Sequence, residues 1–385
     1  MEILYSNILP LAVKEGQSTF QDVFYKQVSK ADSLEITVGY VSKASLDEIE
    51  NIVSQNNIKH ITLTIGMYYI EGMPEALYHK AVSLNEKWTK NNIGEVRLTK
   101  VFKNHSKVFA FYKNGVPFSA ILGSANLGAI KLEASNLRQY ELSALTEDPI
   151  ECEQLASFIR EISSPKCSEN ISTLNIKIER EENTALTGID TVERIPQIQV
   201  KLLKKHRTNT SFVLPIKVPS FEDRYKDDKK HYTQSNLNTS YSKPRSAKKP
   251  RDWYETQFHV SKAIRSLDGY PKKNVPFYVV TDDGFMFKCH TTSSDNKQFS
   301  AVGDELIFGR WIKGRIAAAG LVEPVNDTQA DKERTGMITK EMLTAYGCSS
   351  LTLTKTDQHQ EDEDGSVLDV WLLLFENSEN NEEDS

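Results

Sequence analysis

The chain has 385 residues, of which 39% are hydrophobic, 26% charged and 9% aromatic. That length exceeds one ordinary core and predicts two domains, while the composition excludes wholesale disorder, collagen and coiled coil. The net charge of -6 averages segments of opposite sign and says little about partners. No run of eighteen apolar residues occurs, and the first six residues lack a basic stretch followed by an apolar one. Both features predict a cytoplasmic protein with no membrane contact.

In chain order, Glu35–Val41 reads as a strand and Ser45–Ser54 as a helix, with apolar residues at 46, 49, 52 and 53. Ile61–Gly66 follows as a strand. Pro74–Trp88 reads as a helix entered through a proline, with Leu77, Ala81 and Leu84 on one side. Val96–Leu98, Lys107–Tyr112, Phe118–Leu122 and Tyr140–Leu145 are strand-like. A helix over Asp148–Ile162 closes this α/β domain, and Ser163-Ser164-Pro165 breaks it. The expected division is therefore a domain over 1–165, a linker over 166–193, a second domain over 194–375 and an acidic disordered tail over 376–385. In the second domain the helical period fades. Ser211–Val218, Pro276–Val280, Gly284–His290, Glu305–Phe308 and Val367–Phe375 are short apolar runs separated by Asp, Gly, Asn and Pro. They predict a mainly β barrel with one or two helices, such as Thr339–Tyr346.

Charge is uneven along the second half. Residues 201–251 hold 14 Lys/Arg against four acids, whereas residues 355–385 hold 11 acids against Lys355. A basic block rich in Tyr, Asn, Ser and Thr suits a phosphate backbone, because cations release condensed counterions and hydroxyls and amides add neutral hydrogen bonds. The four cysteines are far apart and the eight histidines are scattered, so no local metal-site spacing exists and the thiols read as reduced.

The chemistry concentrates in His105-Ser106-Lys107, which opens the apolar run Val108–Tyr112, and in Gly123-Ser124-Ala125-Asn126, which ends the next one. Two residues apart on an extended chain, His105 and Lys107 share a face. A buried lysine demands a partner, so the pair belongs at a sheet end in water or beside an anion. Gly123 lets backbone approach a ligand; Asn126 adds donors; Ser124 fits either a phosphate contact or the turn itself. At this point the chain resembles the phospholipase D superfamily, whose signature is His-x-Lys followed by Gly-Ser and Asn. Tyr112 stands near the place of that signature's aspartate. Glu141 resembles the acid that orients the histidine.

The wider pattern resembles the NgoFVII-type restriction endonucleases. It comprises Leu4-Tyr5-Ser6, Ile65-Gly66-Met67, Glu71-Gly72-Met73, the two signature segments, and Phe277–Gly284 with Val302-Gly303-Asp304. That resemblance implies an α/β phospholipase D-like domain, with a mixed sheet flanked by helices, followed by a mainly β, B3-like pseudobarrel domain. It implies metal-independent cleavage of double-stranded DNA through a phosphohistidine on His105, with Lys107 and Asn126 holding the phosphate. Because the chain carries a single His-x-Lys of this type, a homodimer sharing one site is implied. A separate helicase-like ATPase subunit and a cognate methyltransferase are further expected partners; the chain itself has no phosphate-binding Gly-x-x-x-x-Gly-Lys-Ser/Thr loop. Candidate DNA contacts are Arg207, Asn209, Arg224, Lys243, Arg245, Lys248, Lys249 and Arg251, with Arg310, Lys313 and Arg315 at the end of an expected strand. Two rival readings stand beside this one. One is a metal-dependent nuclease using Asp190 and Lys201; the other is a DNA-binding regulator without catalysis.

Overall fold

A computed structural model describes residues 1–131, 139–225, 235–244 and 250–375. The chain divides between Glu181 and Glu182 into two units, each with its own core. The stretch 166–193, expected to be a linker, supplies elements to both. Ser168–Asn170 pairs antiparallel with Gly94–Thr99, and Ile178–Glu179 pairs parallel with Met73–Pro74. Beyond the division, Glu193–Arg194 pairs with Phe285 and Met286. Backbone pairing, not composition, sets this boundary, which is why a polar stretch looked like a connector.

The first unit is built on a nine-stranded mixed sheet. Its order is Ser168–Asn170, Gly94–Thr99, His60–Ile65, Ser33–Val38, Val108–Lys113, Val116–Gly123, Leu142–Thr146, Glu2–Tyr5, Ser18–Thr19. Ser33–Val38, His60–Ile65 and Gly94–Thr99 run parallel, as the intervening helices Lys43–Gln55 and Glu75–Lys90 require. Ser42 caps the first of those helices through a reciprocal pair with Ser45. Asp148 caps Pro149–Ile162 by accepting from Ile150 N and Glu151 N, both at 3.0 Å. The central strands are buried on both faces, which explains their continuous apolar character. Phe109 and Phe111 join the core beneath Phe20–Val28 and its neighbouring helices, whereas Val108, Ala110 and Tyr112 pack on Ala156 and Ile159 of the opposite helix.

The second unit is a curled, mainly β sheet in the order Arg207–Pro215, Ser350–Glu361, Val367–Leu374, Phe277–Thr281, Phe285–Thr292, Gln298–Ala301, Phe258–His259. One expected strand is a helix. Glu305–Phe308 opens Leu306–Ala318, whose Phe308, Trp311, Ile312 and Ile316 are buried with Phe258, Phe299 and Phe375. Trp253 is core as well. All four cysteines are free thiols. Among the described residues no helix is long and apolar enough to cross a membrane. The tail 376–385 lies outside the described residues.

Candidate active site

The signature residues gather where the parallel strands end. Gly39 and Gly66 follow Ser33–Val38 and His60–Ile65 directly, the position at which open α/β sheets present ligand sites. Gly66 admits no side chain, because a Cβ there would overlap the Asn104 carbonyl. Across that close approach Asn104 N donates to Gly66 O at 2.9 Å. The Asn104 side chain then locks the loop: Nδ2 donates to Thr37 Oγ1 at 2.8 Å, and Oδ1 accepts from Ser106 N at 3.1 Å and Ser106 Oγ at 2.7 Å. His105 is thereby held at the mouth of the sheet, exposed, just before the Val108–Lys113 strand rather than within it.

Lys107 is 5% exposed and donates from Nζ to the His105 carbonyl at 2.7 Å. One backbone acceptor uses one of its three N–H bonds. Burial pulls the Lys107 ammonium below its ordinary range, and the Glu141 carboxylate works against that shift. Asn126 Oδ1 accepts from Tyr40 N at 3.1 Å. That bond settles which end of the carboxamide is oxygen and leaves Nδ2 as a donor with no hydrogen-bond partner among the described residues. The His105 ring nitrogens are likewise without hydrogen bonds among those residues, so an imidazole, an ammonium and an amide N–H remain available to one anion.

Ser124 turns inward to Glu141. Its Oγ donates to the Glu141 carboxylate and accepts from Leu142 N at 3.0 Å. Of the two roles open to Ser124 in the sequence, the geometry supplies the turn and the carboxylate contact. Ser6 grips Glu141 from the other side, accepting from its N at 2.8 Å and donating to its O at 3.2 Å. Glu141 precedes the Leu142–Thr146 strand by one residue. Tyr112 donates to Glu35 on the neighbouring strand and accepts from Arg160 Nη1 at 3.4 Å.

Tyr40 and Glu71 complete the surroundings of His105 and were not legible as site residues. The Tyr40 ring meets the His105 ring edge-on at 5.9 Å between centroids. Tyr40 OH donates to Glu71 Oε2 at 2.8 Å, and Lys103 Nζ lies 2.9 Å from Glu71 Oε1. Lys103 first, then the Tyr40 hydroxyl, hold the Glu71 carboxyl below the usual carboxylate range, and the hydrogen bond to Glu71 raises the Tyr40 phenol. Gly39 keeps the approach open, since a Cβ there would stand 2.9 Å from His105 Cδ2. The signal was present in the sequence as Gly39-Tyr40 directly after an apolar strand, and as Glu71 within the family-like pattern. Only the fold brings them to His105.

Family models match both units. Residues 18–176 match the NgoFVII restriction endonuclease N-terminal phospholipase D domain, and residues 202–346 match the NgoFVII C-terminal B3-like DNA-binding domain. The chain belongs to the NgoFVII-type restriction endonucleases. Direct sequence comparison with curated proteins finds no match. Among solved structures the chain is similar to phosphatidylserine synthase of Haemophilus influenzae Rd KW20, with 16% identity and a TM-score of 0.32. That match covers 53% of this chain and 44% of the synthase, so the chain spans less than half the length of that protein.

An NgoFVII-type enzyme is a phospholipase D-family nuclease joined to a DNA-binding domain, and the second unit redraws the expected DNA contacts. Lys313 and Arg315 cannot serve as expected, being 0% and 6% exposed within the Leu306–Ala318 helix. Lys313 Nζ donates to Trp253 O and sits over that indole at 4.2 Å; burial pulls its ammonium down to about 7. Arg310 is half-buried over Tyr254, with Nη1 donating to Ala185 O at 3.4 Å. Arg251 pairs with Glu255, and Arg224 stacks on Phe221 and Tyr225. Arg207, Asn209 and Lys243 are exposed, and Arg207 Nε donates to Lys204 O at 2.7 Å. Arg245, Lys248 and Lys249 lie outside the described residues. Asp190 is in an exposed turn and Lys201 on the Gln197–Lys204 helix. Among the described residues, no three His, Cys, Asp or Glu side chains gather as a metal site would require.

Proposed function

We propose that the chain cuts double-stranded DNA at specific sequences by metal-independent, two-step displacement at phosphorus, with His105 of two subunits sharing one phosphate. The neutral His105 attacks phosphorus, forming an N–P bond as the P–O bond to the leaving nucleoside breaks. The partner subunit's His105, initially protonated, gives its proton to that oxygen. It then takes a proton from water as the water oxygen attacks phosphorus, and the N–P bond breaks to release the phosphate end and restore both imidazoles. Lys107 and Asn126 Nδ2 hold the non-bridging oxygens and offset the charge that develops there. Glu141, fastened by Ser6 and Ser124, keeps a negative charge near Lys107 and balances its burial.

The observation that carries this reading is the combination of an exposed, uncommitted imidazole with a buried ammonium bonded to that residue's own carbonyl. The decisive experiment is cleavage of plasmid DNA in EDTA, followed by denaturing capture of the intermediate. Cleavage with chelator present and a protein–DNA adduct stable in base but labile in acid support a phosphohistidine. Cleavage only with magnesium supports the metal-dependent rival, and binding without cleavage supports the regulator. On this reading a separate helicase-like subunit supplies any ATP hydrolysis and a cognate methyltransferase protects the host; efficient cutting by the purified chain without nucleotide makes that subunit dispensable.

Tyr40 acts here as a positioning residue. Tyr40→Phe keeps the ring edge on His105 and the backbone N–H on Asn126 but removes the bond to Glu71. One such bond contributes on the order of 1 kcal/mol, so kcat should fall by roughly 3- to 10-fold with KM unchanged. Glu71→Gln should give a similar loss together with a displaced pH profile, because it removes a negative charge beside His105. Parallel losses in KM instead would place Tyr40 in substrate binding.

A further inference from the structure

Cations that, Lys217 apart, lie outside the 201–251 block collect at one end of the second unit's sheet. The Phe285–Thr292 and Gln298–Ala301 strands are joined by a turn in which Ser293, Asp295 and Asn296 all have positive φ, at 68°, 54° and 62°. Side chains other than glycine rarely adopt that conformation, so the turn is held by what surrounds it. Arg265 donates from Nη1 to Asp295 O; Asn296 donates from Nδ2 to Pro271 O; Lys297 O accepts from Val260 N at 2.7 Å. Lys273 forms a bridge with Thr291, and Asn274 N donates to Thr291 O at 2.8 Å. Lys217 is tied in through Asn236, which donates from its backbone to Lys217 O at 2.8 Å and accepts from Gln257 N at 3.1 Å.

Four separated stretches of chain thus present Lys217, Lys262, Arg265, Lys272, Lys273 and Lys297 around one rigid turn. Lys217, Lys262, Lys272 and Lys273 are exposed. Among the described residues only Asp268 and Asp295 are acids of these segments, and none of the five lysines is in an ion pair. Several cations elsewhere in the unit are compensated, as in Lys288 with Asp362 at 3.0 Å, Lys355 with Asp369 at 2.7 Å and Arg315 with Asp282 at 2.6 Å. Burial, then Lys297 and Lys217, hold the His259 imidazole below its ordinary range.

We propose that this face, centred on the Ser293–Lys297 turn, docks the phosphate backbone of duplex DNA. It deepens the DNA-binding assignment of the second unit by naming the surface. Uncompensated lysines on a fixed backbone release counterions from DNA without first breaking ion pairs, and the exposed Ser294 on the same turn brings a neutral hydrogen-bonding group to the phosphate oxygens. The sequence drew most of its expected contacts from the 201–251 block because those cations are contiguous, whereas these, Lys217 apart, lie outside it and are brought together by the fold.

The test is equilibrium binding of the full chain to a labelled duplex of about 30 base pairs across about 50 to 200 mM salt, comparing wild type with Lys272→Ala/Lys273→Ala/Lys297→Ala. Each lost phosphate contact should reduce the slope of log affinity against log salt by about 0.9, so the triple variant should lose between two and three units of slope. Affinity near physiological salt should fall roughly 10- to 100-fold, and the corresponding triple arginine variant should restore it, because the charge is kept. Lys272→Ala/Lys273→Ala, at two exposed positions, should lose about two units of slope with melting unchanged. An unaltered slope in both alanine variants overturns the proposal while leaving the DNA-binding reading intact. Loss confined to a Lys243→Ala/Arg207→Ala control does the same by returning the contacts to the basic block. A wild-type chain with no duplex affinity removes both.

Discussion

His105→Ala should abolish strand cleavage, lowering kcat by at least about 10³-fold, because the proposed mechanism makes this position the nucleophile in one subunit and the acid and base in the other. The side chain is exposed, and its ring meets the Tyr40 edge beside Gly39, so folding and duplex affinity should be retained. The shared site gives this variant a second, more discriminating use. When wild-type and His105→Ala subunits are mixed and allowed to exchange, a site needing two imidazoles works only in wild-type pairs. Activity then follows the square of the wild-type fraction. A strictly linear dependence would show that each subunit is complete and would sink the shared-phosphate mechanism. Gel filtration gives the companion measurement, with an active monomer as the contrary result. Replacing Lys107 is less clean. Its ammonium is bonded to the His105 carbonyl, so Lys107→Ala removes the proposed phosphate contact and leaves a part-buried carbonyl without its donor at the same time.

The contrast between what was and was not legible follows from how each feature is encoded. His105, Lys107, Ser124 and Asn126 stood out as candidates because two short segments at the ends of apolar runs carry the signature-like pattern, and Glu141 because it resembles that superfamily's acid. Tyr40, Glu71 and Lys103 were not, since three separate segments meet around His105 only when the parallel strands align. In the second unit, Leu306–Ala318 was mistaken at its start for a strand. The helix has no polar stripe: Ile307, Phe308, Trp311, Ile312, Lys313, Arg315 and Ile316 are all buried, so the 3.6-residue period is erased. It also carries Gly309 and Gly314, which look like helix breakers. The fold explains both. A Cβ at Gly309 would overlap the Tyr254 carbonyl, and one at Gly314 the Asn183 carboxamide, whose Nδ2 donates to Trp311 O at 3.0 Å. Close packing therefore replaced propensity as the determinant. The same mistake turned two interior cations into expected DNA contacts, since a Lys or Arg carries no sequence mark of whether its charge faces water or a buried carboxylate.

Arg315→Met should destabilise the second unit by about 3–5 kcal/mol, the range for breaking a buried ion pair by removing one partner. Arg315 Nη1 lies 2.6 Å from Asp282 Oδ1 and 3.7 Å from Asp283 Oδ1; Nε donates to Tyr346 OH at 2.9 Å and Nη2 to Phe375 O at 3.2 Å. Asp282 also accepts from Phe375 N at 3.2 Å, and Asp283 from Trp311 Nε1 at 2.9 Å. Their second oxygens, Asp282 Oδ2 and Asp283 Oδ2, are buried without hydrogen bonds among the described residues. Removing the guanidinium therefore leaves two adjacent carboxylates in a low-dielectric interior with nothing to balance them. For a unit of this size the loss should lower the melting temperature by roughly 6–20 °C. Adding Asp282→Asn to Arg315→Met should recover a substantial part, because the cost arises from the orphaned charge and not from lost packing; a double-mutant coupling of about 1–3 kcal/mol is expected. The two roles considered for Arg315 separate in the same samples. If it anchors the fold, the fraction of Arg315→Met protein that remains folded at low temperature binds duplex with the wild-type salt slope. If instead stability is unchanged and the slope falls by about one unit, Arg315 reaches phosphate and the buried pair has been misread.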